Sequence, residues 1–214
     1  MKIKSEGICI FCQSTFSSVA MTRHLLACEK RKEQHKDVKS SEKFYLLRAS
    51  DGPFFVYFEV NSSATLKSID AFLRDLWLDC CGHLSAFTIN GVRYSSYEKE
   101  LDEGEKSMNV KLEQILNVDL SLLYEYDFGT TTMLEIKVIE QGEGEVKKVN
   151  PIARNIMPDF RCKCKEISTQ VCAQCVWDGT GFLCKKCAKK HECGEDMLLP
   201  IVNSPRMGMC GYTG

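Results

Sequence analysis

Seven cysteines and one histidine are concentrated in residues 162–193, and their types and spacing are those of metal ligands. They form four pairs: Cys162/Cys164, Cys172/Cys175, Cys184/Cys187 and His191/Cys193. Thiolate and imidazole are donors that Zn²⁺ prefers in closed, four-coordinate structural sites. Eight donors therefore predict two zinc ions. The alternating order predicts that the first and third pairs hold one ion and the second and fourth pairs hold the other.

This cross-braced arrangement resembles the B-box and RING-like modules, and the run "LCKKCAKKH" is similar to the B-box segment in particular. Cys162-x-Cys164 is tighter than that pattern, and a His-x-Cys pair departs from it. A segment this short cannot bury enough apolar surface to fold by itself, so the ions are expected to stabilise it. Two residues are candidates for the eighth ligand: Cys193 is favoured, and Cys210 in the tail is the alternative.

A second ligand set near the N-terminus predicts a third zinc ion. Its members are Cys9, Cys12, His24 and Cys28, close to the spacing of a zinc finger whose last ligand is cysteine. His24 and Cys28 stand four residues apart, so on a helix they share one face and can close a tetrahedron. Ser17 or Ser18 is the expected N-cap. The expected small core consists of Phe16, Met21 and Leu25.

Four basic side chains of this N-terminal segment are candidate phosphate contacts: Arg23, Lys30, Arg31 and Lys32. Residues 1–43 carry nine Lys or Arg against five Asp or Glu, whereas residues 44–150 carry ten against eighteen. Residues 151–214 carry nine against six, but zinc-bound thiolates would cancel that surplus. Charge therefore favours a nucleic-acid partner mainly at the N-terminus.

The residues between the ligand sets must form the scaffold that positions them. Residues 44–60 predict two strands around Asp51-Gly52-Pro53, a second hairpin turns at Asn90-Gly91, and residues 121–140 supply another pair of strands. Apolar residues at helical spacing predict one helix, and they are Leu66, Ile69, Phe72, Leu73, Leu76 and Trp77. Hairpin, helix, hairpin and further strands predict an α+β, β-grasp-like domain with the helix on a mixed or antiparallel sheet.

The segments "LRDLWLDCCGHLSAF", "MNVKLEQIL" and "LLYEYDFG" resemble the plasmid pRiA4b ORF-3-like family, over roughly residues 42–142. Some members are labelled transposon-passenger, TnpR-like proteins, although this chain shows no serine or tyrosine recombinase constellation. The resemblance implies a fold and a family name. The family usually follows this last segment with Asp-x-Trp-x-His, whereas Thr130 to Leu134 reads TTTML here. No site residue is therefore carried over from that segment.

Three further features allow two interpretations each. Cys80, Cys81 and His83 suggest half a metal site, but helix-end packing with a polar turn is favoured. The tail residues Arg206, Gly208 and Gly211 are either an anion-binding loop or part of a lid on the zinc module, and the lid is favoured. Trp177 is either a ligand-facing aromatic or the module's one large hydrophobic residue, and the core position is favoured.

Together these patterns predict a zinc finger at 1–32, a linker at 33–43, the α+β domain at 44–150 and a two-zinc module with a tail at 151–214. With 44% hydrophobic and 27% charged residues and no apolar run long enough for a signal peptide or membrane span, the chain is expected to be cytoplasmic. Thirteen cysteines in that reducing compartment indicate metal ligands rather than disulfides.

The expected function is that of a non-enzymatic zinc-binding protein with three ions. Catalytic zinc sites usually keep an open position beside a general base, and these cysteine-rich sets have four protein ligands each. A nucleic-acid-associated regulatory or mobile-element accessory role is favoured. The alternative is an adaptor that binds only protein, because cross-brace modules commonly do so.

Overall fold

A computed structural model of the protein describes residues 3–36 and 42–214, in which a large sheet is combined with few helices. Part of the expected linker, residues 37–41, lies outside the described residues. The strands are β1 Glu6–Cys9, β2 Thr15–Ser17, β3 Lys43–Asp51, β4 Phe54–Asn61, β5 Ser85–Ile89, β6 Val92–Ser95, β7 Lys106–Ser107, β8 Ser121–Tyr126, β9 Thr132–Glu143, β10 Asn150–Asn155, β11 Gln170–Cys172, β12 Phe182–Leu183 and β13 Leu198–Pro200. The α-helices are α1 Ser18–Ala27, α2 Glu29–Lys36, α3 Leu66–Leu73 and α4 Lys185–Ala188.

Ten strands form one sheet in the order β2-β1-β10-β4-β3-β9-β8-β5-β6-β7, and β12-β11-β13 form a small second sheet. All described pairs are antiparallel except β6 with β7. Strand β1 pairs with β10, so hydrogen bonding crosses the boundaries expected near residues 43 and 150. A Cβ at Gly7 of β1 would lie 2.6 Å from the Arg154 carbonyl oxygen, which explains the need for glycine.

The expected central elements all form. The hairpin β3–β4 turns at Gly52, and β5–β6 turns at Asn90-Gly91 with φ values of 49° and 79°, the positive pair that a tight hairpin turn requires. The predicted helix begins at Leu66 and continues as a π-helical turn at Arg74–Leu78. The strands "SLLYEY" and "TMLEIKVIEQGE" also form as expected.

Strand β4 is buried on both faces, which explains its apolar run from Phe54 to Phe58. Val56 and Phe58 alternate with Phe55 and Tyr57 along the strand. The first pair belongs to the main core with α3, and the second packs with Met21 of the N-terminal segment. The two sides of the sheet thus carry different parts of the chain.

The C-terminal residues extend the main core. Phe160 stacks on Phe182 with ring centroids 4.7 Å apart, and Val171 and Met207 are buried in the same apolar cluster as α3. None of the helices in the described ranges is both long and apolar enough to cross a membrane.

Candidate metal centres

Among the described residues, sixteen side chains gather into four groups whose potential ligand atoms lie within 4.8 Å of one another. The N-terminal cluster is Cys9, Cys12, His24 and Cys28. The first C-terminal cluster is Cys162, Cys164, Cys184 and Cys187, and the second is Cys172, Cys175, His191 and Cys193. The tail cluster is Cys80, Cys81, His83 and Cys210. These groups include all thirteen cysteines of the chain.

The N-terminal cluster is built by a hairpin and a helix. Cys9 ends β1, the turn after it brings Cys12 alongside, and α1 supplies His24. Helix α1 is capped by Ser17, whose Oγ accepts a hydrogen bond from the Ala20 amide at 3.3 Å. Cys28, the C-cap residue, completes the cluster. The expected arrangement of these four residues is therefore present.

The imidazole of His24 is oriented for coordination. Its ring stacks on Phe16 with centroids 4.0 Å apart, and its Nε2 lies 3.3 Å from the Cys12 Sγ. Burial lowers the pKa of His24, which keeps the ring neutral and leaves a nitrogen lone pair for a metal.

The small core expected beneath the N-terminal cluster is continuous with the core of the large sheet. Met21 and Leu25 are fully buried, and they pack with Leu46 and Ile152 of the large sheet. The N-terminal segment is therefore docked on the sheet rather than tethered beside it.

The four predicted phosphate contacts differ in exposure. Arg23 and Lys30 are exposed, and Lys32 is exposed with Glu29 3.0 Å away. Arg31 is buried, and its guanidinium binds Glu59 at 2.7 Å and Glu140 at 2.8 Å. Because both carboxylates hold that guanidinium inside the protein, Arg31 does not fit its expected role as a phosphate contact.

The C-terminal pairs meet in the alternation expected from the sequence. Strand β11 ends at Cys172, while Cys184 and Cys187 flank and enter the short helix α4. Cys193 joins the second C-terminal cluster, with its Sγ 3.5 Å from that of Cys175, and Cys210 lies elsewhere. The structure thus places Cys193, the favoured residue, in the eighth ligand position.

The sulfur separations fit a tetrahedral ion. A Zn–S bond of about 2.3 Å places two sulfur ligands of a tetrahedron about 3.8 Å apart. The Cys164 Sγ lies 3.6 Å from that of Cys184 and 3.7 Å from that of Cys187. These distances are far longer than the disulfide bond of about 2.05 Å, so the described thiols are arranged as ligands rather than as bonded pairs.

The thiols of the first C-terminal cluster differ in acidity: the pKa values of Cys162 and Cys184 are lowered, and those of Cys164 and Cys187 are raised. Burial raises the pKa of Cys162, but hydrogen bonds from the Cys164 and Cys184 backbones and neighbouring thiols lower it to about 6. The hydrogen bond to Cys162 raises the pKa of Cys187 to about 12. Cys162 can therefore provide a thiolate ligand at neutral pH, whereas Cys187 must lose a proton when a metal binds.

Zinc affinity is therefore expected to fall on acidification. A thiol such as Cys187 is protonated in the metal-free protein at pH 7 and deprotonated in the metal-bound protein, so binding releases protons. Titrating zinc into the metal-free protein at pH 8 and pH 6, in buffers of different ionisation enthalpy, measures this release. Equal affinity at the two pH values would contradict thiolate ligation.

The structure corrects the interpretation of Trp177 and adds a residue to the group at the helix end. Trp177 is 62% exposed on a 3-10 turn, because Val171, Phe160 and Phe182 fill the core where it was expected. Cys80 packs against the main core at the helix end, as favoured, and Cys81 and His83 lie beside it. The tail brings Cys210 beside them, a contact that no local pattern could indicate.

Arg206 is fully buried, which removes it from any exposed anion-binding loop. Its guanidinium donates to the Asp127 carboxylate at 2.5 Å and to the Thr130 carbonyl at 2.5 Å. Ser204 of the same tail donates to the Trp77 carbonyl at 2.7 Å. The tail is thus packed rather than an exposed loop, but these bonds fasten it to the central domain, whereas a lid on the zinc module was favoured.

A model of the plasmid pRiA4b ORF-3-like protein family matches residues 47–156, slightly more than half of the chain. The chain belongs to the plasmid pRiA4b ORF-3-like family. The match confirms the resemblance noted in the sequence and extends it through β10. Of the four clusters, this pRiA4b ORF-3-like range includes only Cys80, Cys81 and His83, so most ligands lie in the flanking segments.

The chain is also similar in part to the crystal structure of a protein of unknown function from Methanosarcina mazei Go1. It is 17% identical, with a TM-score of 0.44, and the alignment covers 53% of this chain and 68% of that chain. No curated protein matches the pRiA4b ORF-3-like chain.

Proposed function

We propose that this pRiA4b ORF-3-like protein is a non-enzymatic, zinc-stabilised nucleic-acid-binding protein that contacts the sugar-phosphate backbone through its C-terminal module. The observation that carries this proposal is an open groove of about 1210 Å³ over the two C-terminal clusters, which contribute seven of their eight residues to its wall. Four exposed lysines line it, and we call it the lysine groove: Lys163, Lys185, Lys186 and Lys190. The N-terminal cluster and both C-terminal clusters would each hold one zinc ion in a B-box-like or finger-like module, beside a β-grasp-type central domain.

The lysine groove is available for an anion. Within the described ranges, none of its four lysines forms an ion pair with a carboxylate. Glu166 and Glu192 also line the groove, so the lysines outnumber the acids there. Uncommitted ammonium groups on flexible stems suit the phosphates of a nucleic-acid backbone, which they approach as point charges.

The metal charge limits the range of this attraction. Four thiolates around Zn²⁺ carry a net charge of −2, and three thiolates with one histidine carry −1. Because these charges offset the lysines at a distance, we expect short-range phosphate contacts rather than strong long-range steering. The basic surface of Arg23 and Lys30 at the N-terminal segment would add contacts.

Salt-dependent binding tests this proposal. Zinc-loaded full-length protein is titrated with mixed-sequence DNA and RNA at several salt concentrations. The logarithm of the affinity is expected to fall linearly with the logarithm of salt concentration. Replacing the four groove lysines with glutamine should reduce the slope by about one for each lost phosphate contact.

A quadruple variant elsewhere provides the matched control: Lys99→Gln, Lys106→Gln, Lys147→Gln and Lys148→Gln, all exposed in the central domain. Its slope and affinity should equal those of the unchanged protein. An absence of binding at the lowest salt concentration would exclude the nucleic-acid function. Equal losses in the groove variant and the control would show that only total charge matters.

The second candidate is a protein-binding adaptor, and the outer face of α1 favours it. Val19 is 78% exposed and Leu26 is 40% exposed, one on each side of Arg23 along the same helix face. Apolar side chains there suit a protein surface better than a DNA groove. If this candidate is correct, Val19→Ser with Leu26→Ser should change which proteins co-purify with the chain, and the groove variant should not.

A further inference from the structure

We propose that Cys80, Cys81, His83 and Cys210 bind a fourth zinc-class ion, which fastens the C-terminal tail to the central domain. This inference goes beyond the proposed function, because it depends on neither the lysine groove nor a nucleic acid. It concerns the tail cluster alone.

The geometry of the tail cluster matches that of the other three. The Sγ atoms of Cys81 and Cys210 are 3.8 Å apart, the separation of two sulfur ligands around one tetrahedral zinc. The His83 Nε2 lies 3.3 Å from the Cys210 Sγ, the same separation as His24 Nε2 from Cys12 Sγ in the N-terminal cluster. Three thiols and one imidazole are also the donor set of two of the predicted sites.

The elements that carry these ligands are held independently of a metal. Cys80 and Cys81 follow the π-helical turn at Arg74–Leu78, and π-helical turns often occur at functional sites. Asp79, the residue that ends this turn, accepts a hydrogen bond at 3.0 Å from the Tyr126 hydroxyl. Cys210 adopts a left-handed conformation, with φ of 47°, that turns its thiol into the cluster. The scaffold thus presents all four donors to one point.

A positive charge lies directly behind the cluster. The Arg206 Nη2 is 3.7 Å from the Cys80 Sγ and 2.5 Å from the Asp127 Oδ2. A Cys3His site around Zn²⁺ carries a net charge of −1, which this guanidinium would stabilise as an outer-shell hydrogen-bond donor. Asp127 is 3.6 Å from the His83 Nε2, but Arg206 already holds its carboxylate.

The position of the ligands in the chain gives the ion a structural role. Cys81 and Cys210 are 129 residues apart, so one ion would close a very long loop and hold the tail against the core. The site would also be more accessible than the other three. Each of those contains at least one buried ligand, whereas the tail cluster contains none.

Native mass spectrometry of full-length protein purified without chelator tests the proposal. We expect four zinc ions in the unchanged protein and three in Cys210→Ser. The first ion removed by stepwise addition of a chelator should be the one that Cys210→Ser lacks. Hydrogen exchange should accelerate at Met209 and Tyr212, whose amides close the last turns of the tail.

A variant in the central domain tests whether an ion is lost only because the tail misfolds. His83→Asn removes a ligand without changing the tail, and it should also lower the count from four ions to three. The matched control is His35→Asn, since His35 stacks on Phe44 and is the one histidine outside the clusters. It should keep four ions.

Three results would overturn the proposal. One is a count of three ions in the unchanged protein, and another is an unchanged count in both ligand variants. The third is a mass lower by two hydrogens with no fourth ion, which would indicate a disulfide. The ion count and nucleic-acid binding are separate measurements. Either the fourth-ion proposal or the nucleic-acid proposal can therefore fail while the other holds.

Discussion

Replacing Cys184 with serine is expected to unfold the C-terminal module while the central sheet remains folded. The reason is the small apolar core around these ligands, whose buried members are Cys172, Leu183 and Ala188. A structural zinc contributes an apparent free energy of about 10–16 kcal/mol in zinc-finger peptides at pH 7, which such a core cannot replace. Losing the first C-terminal ion therefore removes most of the module's stability.

Hydrogen exchange and native mass spectrometry together check this expectation. At least one zinc ion should be lost, and amide protection should fall across residues 162–193 but persist in β3, β4 and β9. Lys185→Ser, one residue away and exposed, is the matched control and should keep every ion. Full protection of residues 162–193 in Cys184→Ser would show that packing rather than metal holds the module.

Replacing Arg206 with methionine is expected to lower the free energy of unfolding by about 3–5 kcal/mol, the cost of breaking a buried ion pair by removing one partner. Arg206 is fully buried and its guanidinium is 2.5 Å from the Asp127 carboxylate. Hydrogen bonds from the guanidinium and from the Thr130 and Gly129 backbones outweigh burial and hold the pKa of Asp127 below its usual value. Removing the guanidinium leaves that carboxylate charged and shielded from water.

The free energy of unfolding is measured with urea in excess zinc, so that metal loss does not add to the result. Arg161→Met is the control, because Arg161 and its partner Asp159 are exposed. Its cost should be about 0–1 kcal/mol.

A double variant separates the charge from the packing. Adding Asp127→Asn to Arg206→Met should restore part of the stability, since the amide oxygen can still accept from the Gly129 amide without a charge. Asparagine also tolerates the positive φ of 64° at this position. If the double variant were no more stable than the single one, lost packing rather than the unpaired charge would explain the effect.

Local sequence was sufficient for the features that depend on near neighbours. Paired cysteines two or three residues apart, and His24 four residues before Cys28, meet because a turn or one helical face brings them together. The Asn90-Gly91 turn formed for a similar reason, since its backbone conformation is a property of those two residues. The α+β elements followed from hydrophobic periodicity.

The tertiary structure decided the features whose partners are distant in the chain. Cys80, Cys81 and His83 become part of a cluster only because the tail returns with Cys210. Arg31 looked like part of a solvated basic run, yet its guanidinium meets Glu59 and Glu140 inside the protein. Trp177, expected in the core, is 62% exposed, whereas Phe160 and Phe182 of the same C-terminal segment stack on each other.

The physical reason for this division is the range of the interactions. Ligand spacing, turn conformation and helix periodicity are set within a few residues, so the sequence by itself determined three sets of candidate metal ligands and the central elements. Burial and the neutralisation of a charge depend on which surface packs over a residue. Only the folded chain could therefore decide that the tail packs on the central domain, that its Arg206 is buried there, and that all thirteen cysteines belong to four clusters.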